Sequence, residues 1–146
     1  MTEREFFLNK SYCELIITSK EITPNVITEK LNLVPSRQYV KGEEFASEHS
    51  GTKGRRFQSL WAAKSETSVL EEEGISHHIS FFKSILETKI QILQSCKADE
   101  RFEITFWIWI ETDNTGIGLE LTEPETAFLN SISNSIRFSL ITKKSI

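Results

Sequence analysis

His77 and His78, with the acids Glu71, Glu72 and Glu73 just before them, are the first place to look for a metal or a general base. Their spacing argues against both. Adjacent side chains on a helix diverge by about 100°, whereas a shared metal needs residues that meet on one face, as i and i+4 do. A solvated helix start is the expectation for this pair. No nucleophile elbow accompanies any serine, so no Ser-His-Asp arrangement is predicted. Asp113-Asn114-Thr115-Gly116 offers oxygen ligands but lacks the twelve-residue pattern of a calcium loop, and reads as a tight turn. Cys13 and Cys96 lie far apart, without histidines at zinc spacing, and read as buried free thiols. No catalytic residue, metal or cofactor is therefore expected.

Two other groups suit binding. Lys53-Gly54-Arg55-Arg56 is a basic cluster, but it feeds a strand and not the helix N-terminus that favours phosphate. With Lys41 it forms one expectation, a small-ligand or nucleotide site of Lys41, Arg55 and Arg56 over the sheet edge. The other group is Trp107 and Trp109, on the strand face opposite Phe102, Ile104, Phe106, Ile108 and Ile110. If helices cover the apolar face, both indoles lie on the uncovered one, where exposed Trp marks an interface. Glu103, Glu111, Asp113 and Glu120 would share or rim that side. An acidic surface with aromatic anchors suits a basic protein partner. The leading expectation is thus a non-enzymatic binding module, of immunity type, that blocks a basic toxin domain such as a nuclease. A homodimer burying the two Trp is an alternative.

Composition agrees with that class and excludes others. The chain carries 17 Lys plus Arg against 21 Asp plus Glu, a formal net charge of -4. A general nucleic-acid binder would want a basic face. The charge is uneven: residues 102–136 hold six acids and no Lys or Arg, so they carry -6, while the remaining 17 bases and 15 acids give +2. No run approaches the roughly 18 apolar residues of a membrane span. Phe6, Phe7 and Leu8 are too short a run for a secretory signal core, which points to the cytoplasm. The length suits one domain over 1–146, with loose ends at 1–10 and 143–146.

Periodicity supplies the elements. Residues 11–19 alternate as a strand, with Cys13, Leu15 and Ile17 on one face. Thr23-Pro24 opens a short helix with Ile27 and Leu31 inward, ending near Asn32 before Pro35. Residues 37–43 form a short strand and turn, 44–54 a loop, and 56–65 a strand with Phe57 and Trp61 sharing a face. Ser76 caps a helix whose stripe of Ile79, Phe82, Leu86, Ile90 and Leu93 runs to about Cys96, with room for a break at 87–89. Residues 101–111 give the clearest strand. A hairpin at 112–116 then returns through Ile117, Leu119 and Leu121. Thr122-Glu123-Pro124-Glu125 is a capping box, and 136–141 is the last strand. The order β-α-β-β-α-β-β-α-β predicts an α+β two-layer sandwich, a mostly antiparallel sheet with three helices on one face, ferredoxin-like in style.

Several of these segments occur together in one family. They are Ile27-Thr28-Glu29-Lys30-Leu31 leading to Leu33-Val34-Pro35-Ser36, then Lys41-Gly42-Glu43, Gly54-Arg55-Arg56, Ser59-Leu60-Trp61, the Thr115-Gly116 turn and the Thr122-led helix. In that order they resemble the bacterial domain-of-unknown-function 4279 family over nearly the whole chain. The 44–53 loop and the 89–96 stretch depart from its pattern. The resemblance implies a small bacterial α+β domain without an established activity, and supplies no catalytic residues.

Overall fold

A computed structural model describes residues 9–66, 69–70, 74–113 and 117–142. The Phe6-Phe7-Leu8 run, the acids at 71–73, most of the 112–116 turn and the end at 143–146 lie outside the described residues. The elements in chain order are β1 (Asn9–Ser19), α1 (Pro24–Leu31), β2 (Arg37–Tyr39), β3 (Glu44–Ala46), β4 (Lys53–Arg55), β5 (Ser59–Lys64), α2 (Ile75–Leu86), α3 (Ile90–Ala98), β6 (Phe102–Thr112), α4 (Glu123–Ile132) and β7 (Ser135–Thr142). Five strands form one sheet in the order β2-β5-β1-β6-β7, and β3 and β4 form a separate hairpin. The fold is α+β with a mostly antiparallel sheet, as the alternation implied.

All four helices pack on one face. Cys13, Leu15 and Ile17 from β1, Trp61 and Ala63 from β5, and the even residues of β6 from Phe102 to Ile110 form one buried cluster with Ile27, Phe82, Leu93 and Leu129 of the helices. Period-2 alternation puts these strand residues on one side. The capping box at Thr122 is formed: Thr122 Oγ1 accepts from the Glu125 N–H, and the Glu125 carboxylate accepts from the Thr122 N–H at 2.8 Å. Asn32 ends α1 in the left-handed region at φ 52°, which asparagine tolerates well.

Several expectations are corrected. Among the described residues there are four helices, because the stretch expected to run to Cys96 divides at 87–89, where a break had room. The α2 cap is Gly74 and not Ser76, so the helix begins two residues earlier, and His78, one turn before the buried Phe82, faces inward. The 44–54 segment is not simply a loop: it pairs as β3 and β4. Phe57 precedes β5 and is exposed, so it does not share a face with Trp61. Residues 117–121 form no strand. The reason is geometric: β6 has two edges, and β1 and β7 occupy both. β7 pairs with β6 in parallel through α4, with no strand between them, unlike the split crossovers of a ferredoxin-like unit.

Candidate functional site

The uncovered face of the sheet can be built row by row from the register. One row runs Tyr39, Leu60, Thr18, Glu103. The next runs Arg37, Ala62, Ile16, Thr105, Ser135. The third runs Lys64, Glu14, Trp107, Arg137, and the fourth Tyr12, Trp109, Ser139. The second row has Ala62, Ile16 and Thr105 at its centre, all shorter than the Arg, Tyr and Trp side chains around them. That size difference leaves a cleft of about 340 Å³, with Ile16 and Leu60 as floor and Arg37, Tyr39, Trp107 and Arg137 around it.

The walls are held by stacking and charge. Trp107 stacks on Trp109 at 4.6 Å between ring centroids, and Trp109 on Tyr12 at 5.7 Å. The Trp107 indole N–H donates to Ser139 Oγ at 2.8 Å, and the Arg137 guanidinium lies 4.7 Å above the Trp107 ring. Arg37 donates to Glu14 through Nε at 2.9 Å and Nη2 at 3.1 Å, a bidentate pair. The Glu14 carboxylate is 1% exposed, and its hydrogen bond holds the Arg37 guanidinium above its ordinary pKa. A second depression, of about 470 Å³, continues past Thr18 and Glu103 to the strand ends. Its Arg101 is paired with Asp99 at 2.8 Å, and that hydrogen bond holds the Asp99 carboxyl down at about 2.

The structure distributes the sequence-derived sites unequally. Trp107 and Trp109 are on the uncovered face, half-buried against each other. Glu103 is exposed and lines the cleft. Glu111 is half-buried opposite Lys10, and Asp113 lies just past the strand end. Glu120 is exposed in the connection to α4 and is on no strand. The face is not acidic as the 102–136 segment suggested, because Lys10, Lys64, Arg37 and Arg137 interleave with its carboxylates. Residues outside that segment supply all four.

Lys41, Arg55 and Arg56 do not converge on one site. Lys41 is exposed beside the Gly42 turn. Arg55 is committed to Glu44 at 2.9 Å and to the Gly42 carbonyl at 3.0 Å. Arg56 lies between the Tyr39 ring at 4.0 Å and the Phe45 ring at 4.3 Å. Gly54 opposes Phe45, and a Cβ there would sit 3.0 Å from the ring, so glycine lets Phe45 lie across the hairpin.

His78 corrects the solvated reading of the histidine pair. His77 is exposed, but His78 is fully buried, its Nδ1 hydrogen-bonded to Ser65 Oγ at 2.6 Å. Ser65 is itself fully buried and accepts from the Cys13 N–H at 2.8 Å. Cys13 and Cys96 are free and buried, and burial pushes both thiols up. Among the described residues no group of three His, Cys, Asp or Glu is placed to hold a metal, and no helix is long and apolar enough to cross a membrane.

Arg37, Glu14, Tyr39 and Arg137 are the residues sequence reasoning missed. Glu14 was the readable signal, a carboxylate set among Cys13, Leu15, Ile16 and Ile17, where a buried charge needs a cation beside it.

A family model for a domain of unknown function, DUF4279, matches residues 9–143. The chain belongs to this family. The match spans every described strand and helix, so the DUF4279 fold includes both the helix layer and the cleft face. No curated protein and no solved structure matches the chain.

Proposed function

We propose that this DUF4279 chain is a non-enzymatic binding module whose working surface is the uncovered sheet face at the Arg37–Arg137 cleft. One observation carries the reading. The strands bury one face under four helices and leave on the other a depression with an apolar floor, two aromatic walls and two guanidiniums. Concave sites with apolar linings and a few placed polar groups are where ligands bind. Free, buried Cys13 and Cys96 support a reducing compartment, the cytoplasm.

The test uses the three tryptophans as reporters. Small-molecule and protein fractions are added to 15N-labelled protein, and the indole N–H signals are followed by NMR. Binding at the cleft moves Trp107 and Trp109 and leaves the core Trp61 in place. Binders that move helix amides with both open-face indoles silent would overturn the proposal.

A protein partner, such as the basic toxin domain expected from the sequence, is the second reading. It is favoured by β7, which ends the sheet and exposes Phe138, Leu140 and Ile141. Phe138→Asp with Leu140→Asp then abolishes co-purification of that partner, while Trp107→Ala leaves it intact. The reverse pattern returns the partner to the cleft face.

A further inference from the structure

Resting on the reading of this face as the binding surface, the charges around the cleft specify what it takes. Arg37 reaches it from one side of the sheet and Arg137 from the other. Glu14 engages Arg37 through Nε and Nη2, and Nη1 has no partner among the described residues. The pair therefore fixes the guanidinium in place with donor capacity to spare. Arg137 makes no ion pair among the described residues. Its guanidinium carbon lies 4.7 Å from the Trp107 ring centroid, and no hydrogen bond to a described residue occupies its N–H groups, which leaves them able to donate. Between the two lie Ala62, Ile16 and Thr105, none of which carries charge. Two carboxylates oppose them: Glu14, whose charge Arg37 already neutralises, and Glu103, two rows from Arg137 on the Tyr39 side of the cleft.

We infer that the cleft binds a small organic anion, its oxyanion between Arg137 and Arg37 and its apolar body over Ile16 and Leu60 against Trp107. Carboxylate and phosphate share the oxygen geometry that a guanidinium edge recognises. A volume of about 340 Å³ suits a ligand of one or two rings. Glu103 repels the anion, so the charged end sits on the Arg137 side.

The test titrates the whole chain with 2-naphthoate, 2-naphthyl phosphate and the neutral 2-naphthamide, reading the Trp107 indole N–H by NMR. Wild type binds at least one anion roughly tenfold or more tightly than the amide, the scale of a charged hydrogen bond. The tighter of the two anions identifies carboxylate or phosphate as the preferred headgroup. Arg137→Gln lowers the ratio of anion to amide affinity toward one, and Glu103→Gln raises it. If amide and anions bind wild type equally, the anion inference is overturned while the open-face reading stands. If none of the three moves Trp107 up to roughly 10 mM, a weak-binding limit, both are overturned. The wild-type comparison needs no variant to fold.

Discussion

The two faces of the central sheet are made from alternate residues of the same strands, and they are stabilised by different means. On β6, Phe106 faces the helices with no exposed surface and meets Phe82 edge-on at 5.2 Å. Its neighbour Trp107 faces the other way, half-buried, held by Trp109, Arg137 and Ser139. On β1, Leu15 is enclosed by core, and its neighbour Glu14 is enclosed by a bidentate cation. The helix face depends on close packing, which is undirected and tolerates no void. The open face depends on stacking and charge, which fix side chains in place without covering them. Its long side chains lie over Ile16, Leu60 and Ala62, so these stay buried with no second layer above. A sheet can thus be finished on one side by directional contacts and still leave a surface for binding.

The comparison is broken first at Phe106. Phe106→Ala should cost about 3–5 kcal/mol, the range for a large cavity in a packed core. Trp107→Ala, one residue on, should cost about 1–2 kcal/mol, because it forfeits stacking and one hydrogen bond at a half-exposed site. Urea denaturation of the two variants reads the difference, and equal losses would mean that the open face is packed like a core.

Arg37→Ala should cost about 2 kcal/mol, less than the loss of a fully enclosed pair because Arg37 is half-exposed. The loss comes from stranding the Glu14 charge. Adding Glu14→Gln should therefore restore part of the stability. A double variant no more stable than Arg37→Ala would show that packing, and not charge, holds this corner.

Thr122→Ala removes the cap of the helix that leads into β7, at about 1 kcal/mol. The Glu125 half of the same cap depends on pH. The Thr122 backbone N–H holds the Glu125 carboxyl below its ordinary 4.5. A carboxyl depressed in the folded state stabilises above its unfolded pKa and loses that contribution as pH falls through the folded one. Stability curves of Glu125→Gln and wild type should therefore converge as pH falls below 4.5 and separate above it. The smallest effect belongs to Arg55→Ala, under about 0.5 kcal/mol, because Arg55 and Glu44 are both mostly exposed. Arg137→Gln should be equally mild, which separates its role in binding from any role in folding.

Much of this fold was legible because its signals are local. Alternation on β1 and β6 marks the core side without reference to a partner, and Thr122 with Glu125 declares its own cap. What escaped depends on pairing. A returning strand after 112 was reasonable from Ile117, Leu119 and Leu121, but β7 occupies that edge from beyond a helix. The site divided along the same line. Trp107 and Trp109 were readable from parity on one strand, whereas Arg37 and Arg137 join them only through the register of two edge strands. Counting acids over 102–136 stopped one residue short of Arg137, the cation that lies on Trp107. His78 lies one turn before Phe82 on the same helix face, so the apolar stripe itself carries the ring into the core, and only His77 points to solvent.

The placement of β1 at the middle of the sheet has a consequence for how the chain is made. Leu15 leaves the ribosome well before its neighbours Ala63 and Phe106 are synthesised. Until both arrive, an apolar strand with two bare edges is exposed to solvent and to other nascent chains. Sheets joined by such distant partners close slowly, on a scale of roughly milliseconds to seconds. The strand that anchors the finished molecule is therefore its chief aggregation hazard during synthesis, and the stage at which a chaperone would matter most.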